Sequence, residues 1–447
     1  MTNETYGLIG KTLVHSYSKE IHEALGRYQY QLFSLAEDEM PDFINARDFR
    51  GLNVTIPYKK DVIPLCDEVT DLSRRIGAVN TLFWKNASGT GSSESISQED
   101  KILVGHNTDY EGFLYAASRA GIDFEGKGVL ILGTGGTSLM ARRAAADQNA
   151  AKIYIASRHP ETDPPSGSEI QNAGILSTVS YNQLPEIADS IDVIVNTTPV
   201  GTFPNNMQQV IRLKDFPACQ AVIDVIYNPF KTALLLEAEK LGLKYTNGLP
   251  MLVAQATAAA GYFLGTPGAF QKENQRIIKS MKQQMGNIVL IGMPGTGKSI
   301  IGKLLAELTG KTLQDTDARI EEEAKMTIPE IFEKEGESGF RDRESAICKK
   351  LGKERNLIIA TGGGAILRPE NVDALRQNGT LVHITRSIDK LPTRGRPLSK
   401  NIETLKKMEA QRMPLYKAAA DITFRNNYTC SRKKLRQRVT TYILEKL

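Results

Sequence analysis

The sequence predicts an α/β protein of several domains, and three observations carry that prediction. Short β-like runs (YGLIG, GLNVTI, VLILG, KIYIAS, DVIVNTT, AVIDVIY, IVLIG, LIIATGG and LVHIT) alternate with helix-compatible stretches along most of the chain, and such alternation builds parallel sheets. Two of these runs end in glycine-rich turns that open helices, GTGGTSLMARRAAA at 133–146 and GMPGTGKSIIGKLL at 292–305. Two separate nucleotide-binding sheets are therefore expected. At 447 residues, the chain also exceeds what one core organises, at roughly 100 to 200 residues per domain.

Composition excludes more than it proposes. Hydrophobic residues at 41% and charged residues at 24% are ordinary for globular proteins and rule out a disordered, collagenous or coiled-coil chain. A net charge of +5 is small for this length, and no block of five or six like charges interrupts the chain, so no nucleic-acid partner is expected. Cys66, Cys219, Cys348 and Cys430 lie far apart with no C-x-x-C pair, which predicts reduced thiols and neither a zinc site nor a disulfide framework. MTNETYGLIGKTLVHSYS lacks the features of a signal peptide, and no long apolar run occurs. The expectation is a cytoplasmic protein with no membrane partner.

Strand VLILG followed by Gly133-Thr134-Gly135-Gly136 and a helix has the physics of a dinucleotide turn, because missing Cβ atoms let backbone amides approach a pyrophosphate. Ser138 replaces the third glycine of the usual fingerprint, and taken alone the turn also fits an ordinary strand-to-helix junction. The next strand, KIYIAS, ends at Ser157 and Arg158, where an NAD enzyme places an acid on the ribose. An arginine there matches a 2′-phosphate and favours NADP.

GLNVTIPYKK at 51–60 and GHNTDYEGF at 105–113 each hold a polar cluster, with Lys59 in one and Asp109 in the other. A lysine can keep positive charge beside a carbonyl oxygen as hydride arrives and share its proton, with a carboxylate to orient it. By itself a lysine after a strand is more often merely solvated. At these residues the chain resembles shikimate dehydrogenase over residues 1 to about 270, through HSYS, NVTIPYK, IGAVNT, NTD, the GTGG turn, NTTPVG, DVIYNP and GLPMLVAQA in order. The resemblance implies NADPH-dependent reduction of 3-dehydroshikimate to shikimate, with quinate open as an additional substrate. It implies that Ser16, Ser18, Thr55, Asn80, Asp109, Tyr227 and Gln255 bind the substrate, and that Lys59 is the proton donor and acceptor beside Asp109. Gly133, Gly135, Gly136, Ser157 and Arg158 would hold NADP, with Thr197 and Gly248 near its ribose or nicotinamide. Two positions depart from the family: Lys19 stands where it commonly has proline, and His106 where it commonly has aspartate.

Gly292-Met-Pro-Gly-Thr-Gly297-Lys298-Ser299 is a complete G-x-x-x-x-G-K-[ST] between a strand and a helix. Backbone amides over Gly295, Thr296, Gly297 and Ile300 would cradle phosphates, Lys298 would neutralise the transferred group, and Ser299 would join a Mg²⁺ shell. Asp315 and Asp317 follow a strand in LQDTDARIEE; one can serve the metal and the other a substrate hydroxyl, or the two can cap a helix. Arg341, the triple glycine 362–364, Arg396 and Arg412 come next, and separated arginines suggest a small carboxylated acceptor.

That set resembles shikimate kinase across 287–447. The resemblance implies ATP-dependent phosphorylation of shikimate to shikimate 3-phosphate. Asp317 would contact and deprotonate the hydroxyl, Arg341 and Arg412 would hold the carboxylate, Gly363 would approach the ring, and Arg396 would come from a closing lid. The stretch RSIDKLPTRGRPLS is short for that lid. The competing use of this half, an ATP-sensing module on a dehydrogenase, has no need of an acceptor-binding set. The expected organisation is a substrate-binding α/β domain at 1–104 completed by 246–270, a Rossmann NADP domain at 105–245, a helix-compatible linker at 271–286 and a P-loop kinase domain with a parallel sheet at 287–447. The tip 86–100, NASGTGSSESISQED, reads as a disordered hairpin end.

Overall fold

The computed structural model describes residues 5–13, 16–86, 101–161, 175–391, 402–427 and 431–447. Past Asn86 the expected hairpin tip lies outside the described residues, as does Arg396. The chain divides into two compact units, Met1–Thr202 with Gln208–Lys279, and Phe203–Met207 with Ser280–Leu447. Among the described residues no helix is long and apolar enough to cross a membrane.

The first unit holds two six-stranded sheets. One runs in the order β2-β1-β3-β5-β6-β4, with β1 (Tyr6–Gly10), β2 (Tyr30–Ser34), β3 (Gly51–Val54), β4 (Glu68–Val69), β5 (Thr81–Asn86) and β6 (Lys101–His106). This sheet is mixed, not purely parallel: β5 runs antiparallel to both β3 and β6. The reason is local, since Asn86 pairs with Lys101 and the two strands are consecutive arms of one hairpin.

The other sheet is parallel throughout, in the order β12-β11-β10-β7-β8-β9. Its strands are β7 (Gly128–Leu132), β8 (Lys152–Ser157), β9 (Leu176–Ser180), β10 (Val193–Asn196), β11 (Ala221–Asp224) and β12 (Lys244–Thr246). The strand order reverses direction between β7 and β10, and that switch point opens a crevice at the strands' carboxyl ends. The period-2 alternation of a strand divides its side chains between two cores. Val129 and Ile131 join Ala141, Ala144 and Ala145 on one face, while Leu130 and Leu132 join Leu234 and Leu235 on the other.

Three helices complete the unit's working parts: α1 (Thr108–Arg119), α2 (Gly136–Asp147) and α3 (Gly248–Phe263). Small residues let α1 and α3 touch, because a Cβ on Gly112 would stand 2.6 Å from the Met251 carbonyl and 3.0 Å from Gln255 Cβ. That close approach places Asp109 and Gln255 on one cleft. Next in the chain is α4 (Asn274–Met285), which buries Ile277, Met281 and Met285 at helical spacing. The division between the two units falls inside it.

In the second unit β13 (Asn287–Ile291), β14 (Thr312–Asp315), β15 (Leu357–Ala360), β16 (Gly379–Thr385) and β17 (Ile422–Arg425) form a parallel sheet ordered β14-β15-β13-β16-β17. Four helices carry its site: α5 (Lys298–Thr309), α6 (Thr316–Ala324), α7 (Ile328–Lys353) and α8 (Ile402–Ala419). Helix α7 is broken by Gly336, whose φ of 69° and ψ of −174° turn the chain between two helical stretches. Its second stretch carries Phe340 and Arg341 to the cleft.

Candidate active sites

In the first unit a cleft of about 330 Å³ gathers Ser16, Ser18, Thr55, Lys59, Asn80, Asp109, Tyr227, Gly248 and Gln255, a volume suited to a small ligand. Lys59 Nζ donates to Asp109 Oδ2 at 2.6 Å, and both side chains are mostly shielded. Asp109 lies in the first turn of α1, where the helix dipole favours its negative charge.

Asn80 is fixed by what its oxygen already does. Asn80 Oδ1 accepts from the Thr108 amide at 2.7 Å, from Thr81 Oγ1 at 2.9 Å and from Thr108 Oγ1 at 3.2 Å. Its Nδ2 therefore turns to the cleft, 3.5 Å from Gln255 Oε1, and can only donate there. Asn53 also lines the cleft and ties this layer together, accepting from Tyr30 Oη at 2.7 Å and donating to the Asn80 carbonyl at 3.3 Å. Its place inside NVTIPYK was visible in the sequence, but its role depends on partners remote in the chain.

The two departures from the family pattern stand aside from the cleft. Lys19 is exposed, with Nζ 3.8 Å from Glu23 one turn on. His106 is buried behind the site, with Nδ1 at 2.9 Å from Thr70 Oγ1 and its ring 4.5 Å from that of Tyr262.

The crevice beside this cleft fits a dinucleotide. Gly133 has φ 99°, a conformation that favours glycine. Cβ atoms built on Gly135 and Gly136 would meet nothing within 4 Å, so these residues face open space. Gly135 caps α2 without any side-chain hydrogen bond, and its carbonyl accepts from the Ser138 amide at 2.9 Å, so the Gly136 and Thr137 amides are the ones that can face an anion. Ser138 is buried and its Oγ accepts from Arg142 Nε at 3.1 Å, which accounts for a serine at the third glycine position. Ser157 is buried at the end of β8, its Oγ accepting from the His159 amide at 2.9 Å, and Arg158 is exposed beyond it. Across the switch point Thr197 Oγ1 donates to the Leu132 carbonyl at 2.7 Å. Gly248 lies against the Val225 carbonyl with no room for a side chain.

In the second unit a cleft of about 660 Å³ runs from the P-loop to an acceptor end. Gly295 and Gly297 have φ of 84° and 96°, so the loop can curl and present its amides. Lys298 Nζ donates back to the Gly292 and Met293 carbonyls at 2.7 and 3.1 Å. Thr296 Oγ1 and the Thr296 amide both donate to the Met293 carbonyl, at 2.9 and 3.3 Å, which fixes the turn of the loop. Ile300 is 66% exposed on the cleft.

Of the two uses open to Asp315, the structure shows the helix cap. Its Oδ1 caps α6 by accepting from the Asp317 amide at 3.1 Å, while its Oδ2 accepts from Ser299 Oγ at 3.0 Å. A hydroxyl and a carboxylate so placed fit Mg²⁺, which keeps several waters and draws its other ligands from phosphates. Among the described residues no cluster of three or more His, Cys, Asp or Glu gathers elsewhere as a metal site.

The triple glycine has a separate neighbour for each member. A Cβ on Gly362 would stand 2.6 Å from Asp317 Oδ1 and 2.7 Å from Glu344 Oε1; one on Gly363 would stand 2.7 Å from Pro294 Cδ; one on Gly364 would collide with the Arg341 guanidinium. The glycines thus let the P-loop, Asp317 and Arg341 meet at one point. Arg412 Nη1 and Tyr416 Oη both donate to the Gly363 carbonyl, at 2.9 and 2.6 Å. Arg341 Nη1 donates to Glu344 Oε2 at 2.7 Å, and Glu344 is fully buried. Burial pushes the Glu344 carboxyl above the usual range against the pull of Arg341. Ile328, Phe332, Phe340 and Met408 supply an apolar wall.

Known proteins sort along the same division. Residues 8–82 match the shikimate dehydrogenase substrate binding domain, and residues 294–447 match shikimate kinase. The NADP(+)-dependent shikimate dehydrogenase of Clostridium perfringens strain SM101 is 34% identical over 262 residues, covering 57% of this chain and 90% of its own length. Among solved structures, a chorismate mutase/shikimate 5-dehydrogenase fusion protein from Clostridium acetobutylicum aligns with TM-score 0.54 and 31% identity, over 63% of this chain and 98% of its own. The shikimate 5-dehydrogenase of Thermus thermophilus, solved with NADP(H) and shikimate, aligns with TM-score 0.51 and 28% identity, over 62% of this chain and 99% of its own. The chain belongs to the shikimate dehydrogenase family through its first half, and carries a shikimate kinase domain in its second.

Proposed function

We infer that the chain is a bifunctional enzyme of the shikimate pathway, which reduces 3-dehydroshikimate to shikimate with NADPH and phosphorylates shikimate to shikimate 3-phosphate with ATP. What carries the reading is convergence: each unit encloses one cleft in which the groups for its step stand together. In the first, Ser16, Ser18, Thr55, Asn80, Tyr227 and Gln255 bind the substrate's hydroxyls and carboxylate. Lys59, oriented by Asp109, stabilises the oxygen as it becomes an alkoxide and gives it a proton. NADPH, when bound along α2, supplies the hydride. Arg158 receives its 2′-phosphate.

In the second cleft Arg341 and Arg412 hold the carboxylate, a pairing suited to the planar fork of guanidinium. Asp317 orients the reacting hydroxyl and takes its proton. Lys298 leaves the loop carbonyls for the phosphates, and Ser299 with Asp315 holds Mg²⁺. Mg-ATP, when bound, supplies the phosphoryl group. Arg396 completes this set as the lid residue. The substrates are small molecules, with no nucleic-acid or membrane partner, and the free thiols of Cys66, Cys219 and Cys348 suit a cytoplasmic site.

The test is one reaction started from 3-dehydroshikimate, NADPH and Mg-ATP. NADPH absorbance should fall and shikimate 3-phosphate should form. Accumulation of shikimate with no phosphorylated product would remove the second activity and leave the ATP-sensing use of that unit.

A further inference from the structure

The two sides of the P-loop are furnished differently. The loop follows the middle strand of the order β14-β15-β13-β16-β17. On the β14 and β15 side lie Asp317 and the glycine run, where Arg341 and Arg412 meet to form the acceptor end. On the other side β16 ends at Thr385, and the next residue is Arg386. Strand β16 lies directly against the P-loop strand, with His383 in register with Ile291.

The backbone on both flanks of Arg386 is pinned. The Asn426 amide donates to the Thr385 carbonyl at 2.7 Å, and the Ser387 amide donates to Asn427 Oδ1 at 2.6 Å. Arg386 is half-buried and lines the same cleft as Gly295, Gly297 and Lys298. Its Nε is buried and makes no hydrogen bond. A buried donor of a charged group left without an acceptor is costly. Beside a loop shaped to grip phosphates, the partner that removes the cost is an anion delivered by the ligand.

We propose that Arg386 binds the phosphate chain of the nucleotide, from the side of the P-loop opposite the acceptor. Its position across the loop from Arg341 and Arg412 argues against the acceptor's carboxylate as its partner. The spare Nε argues against a purely structural place. The proposal rests on the kinase reading of this unit, and the experiment separates the two.

Wild-type protein is first given Mg-ATP and shikimate; no shikimate 3-phosphate would fail the kinase reading itself. With the wild type active, Arg386→Met should raise KM for Mg-ATP by roughly 10-fold or more, as expected for loss of a charge-assisted hydrogen bond. Calorimetric binding of Mg-ADP, with NADP⁺ present to fill the first unit, should weaken by the same factor. KM for shikimate should stay within about twofold, since only the nucleotide contact is removed. Unchanged nucleotide binding would overturn the proposal, and so would a rise confined to the shikimate KM. Should Arg386→Met fail to fold, Arg386→Lys carries the test, because lysine keeps the charge but not the fork. Mg-ADP binding should then weaken several-fold at an unchanged melting temperature, and undiminished binding would overturn the proposal.

Discussion

The two clefts are read as recognising one metabolite by opposite means. The first surrounds it with neutral hydroxyls and amides, and concentrates charge in one lysine-carboxylate pair, Lys59–Asp109. The second is built on guanidinium groups, one of them locked against the buried Glu344. The chemistry accounts for the difference. Carbonyl reduction creates a single alkoxide and needs one proton source, whereas phosphoryl transfer assembles several negative charges that must be neutralised together. Recognition through neutral donors leaves Lys59 as the dominant charge near the reacting oxygen; recognition through arginines adds to the cationic field the phosphates require.

The largest test of that contrast is to remove each cleft's own cation. Lys59→Met should lower the rate of 3-dehydroshikimate reduction by about 10²- to 10⁴-fold, the range for a lost acid-base group, and leave phosphorylation of added shikimate intact. Lys298→Met should lower phosphorylation by roughly 10²-fold or more, the scale of a lost transition-state donor, and leave NADPH oxidation unchanged. Each reaction is followed separately, by absorbance and by product assay. If either variant impaired both steps, the clefts would not be independent.

A smaller test uses the glycines, which differ between the sites in what faces them. Gly136 faces open space, whereas Gly363 faces Pro294 of the P-loop. Gly136→Ala should leave the melting temperature unchanged and raise KM for NADPH, because only the ligand meets the added methyl. Gly363→Ala must displace the loop or the glycine run, at about 1–3 kcal/mol for an overpacked site. It should lower the melting temperature of the second unit by several degrees, and raise KM for both kinase substrates. A Gly136→Ala protein that melted early would show that the open glycine is under structural constraint after all.

These residues also mark what could be read from the chain. The central strands β7, β10, β11, β13 and β15 are buried along their length, so each reads as an apolar run with at most one polar residue, at one end. Strands β2, YQLFS, and β17, ITFR, are partly exposed edge strands with mixed residues, and nothing in their composition announced them. Site residues within turns and short signatures were legible because their neighbours carry the pattern. Glu344 was not: in FRDRES it is one acid among several charges, and only its burial against Arg341 distinguishes it. Tyr416 and Asn53 were hidden for the same reason, since their partners Gly363 and Tyr30 lie far away in sequence.

The last test concerns a feature the units share. Each buries a histidine stacked on a tyrosine, His22 on Tyr30 at 4.0 Å and His383 on Tyr416 at 4.9 Å. Burial lowers His22 from 6.5 to about 3, and burial with the charges of Lys298 and Lys417 lowers His383 to about 4. Both fold as neutral rings. Below pH 6.5 the unfolded chain takes up a proton that the folded chain refuses, so the stability tied to each ring is complete above 6.5 and is lost as pH falls toward the folded value. Between pH 6.5 and 5 the loss is about 2 kcal/mol for each ring, at 1.36 kcal/mol per pH unit. Below about pH 4 the His383 contribution levels off, while that of His22 continues toward pH 3. Calorimetric melting from pH 7 to 4, with NADP⁺ or Mg-ADP used to assign each transition, should show both transitions falling. His22→Phe should flatten only the first unit's slope, since phenylalanine keeps the stack and cannot titrate. A slope unchanged by that substitution would place the acid sensitivity of the first unit in its carboxylates instead.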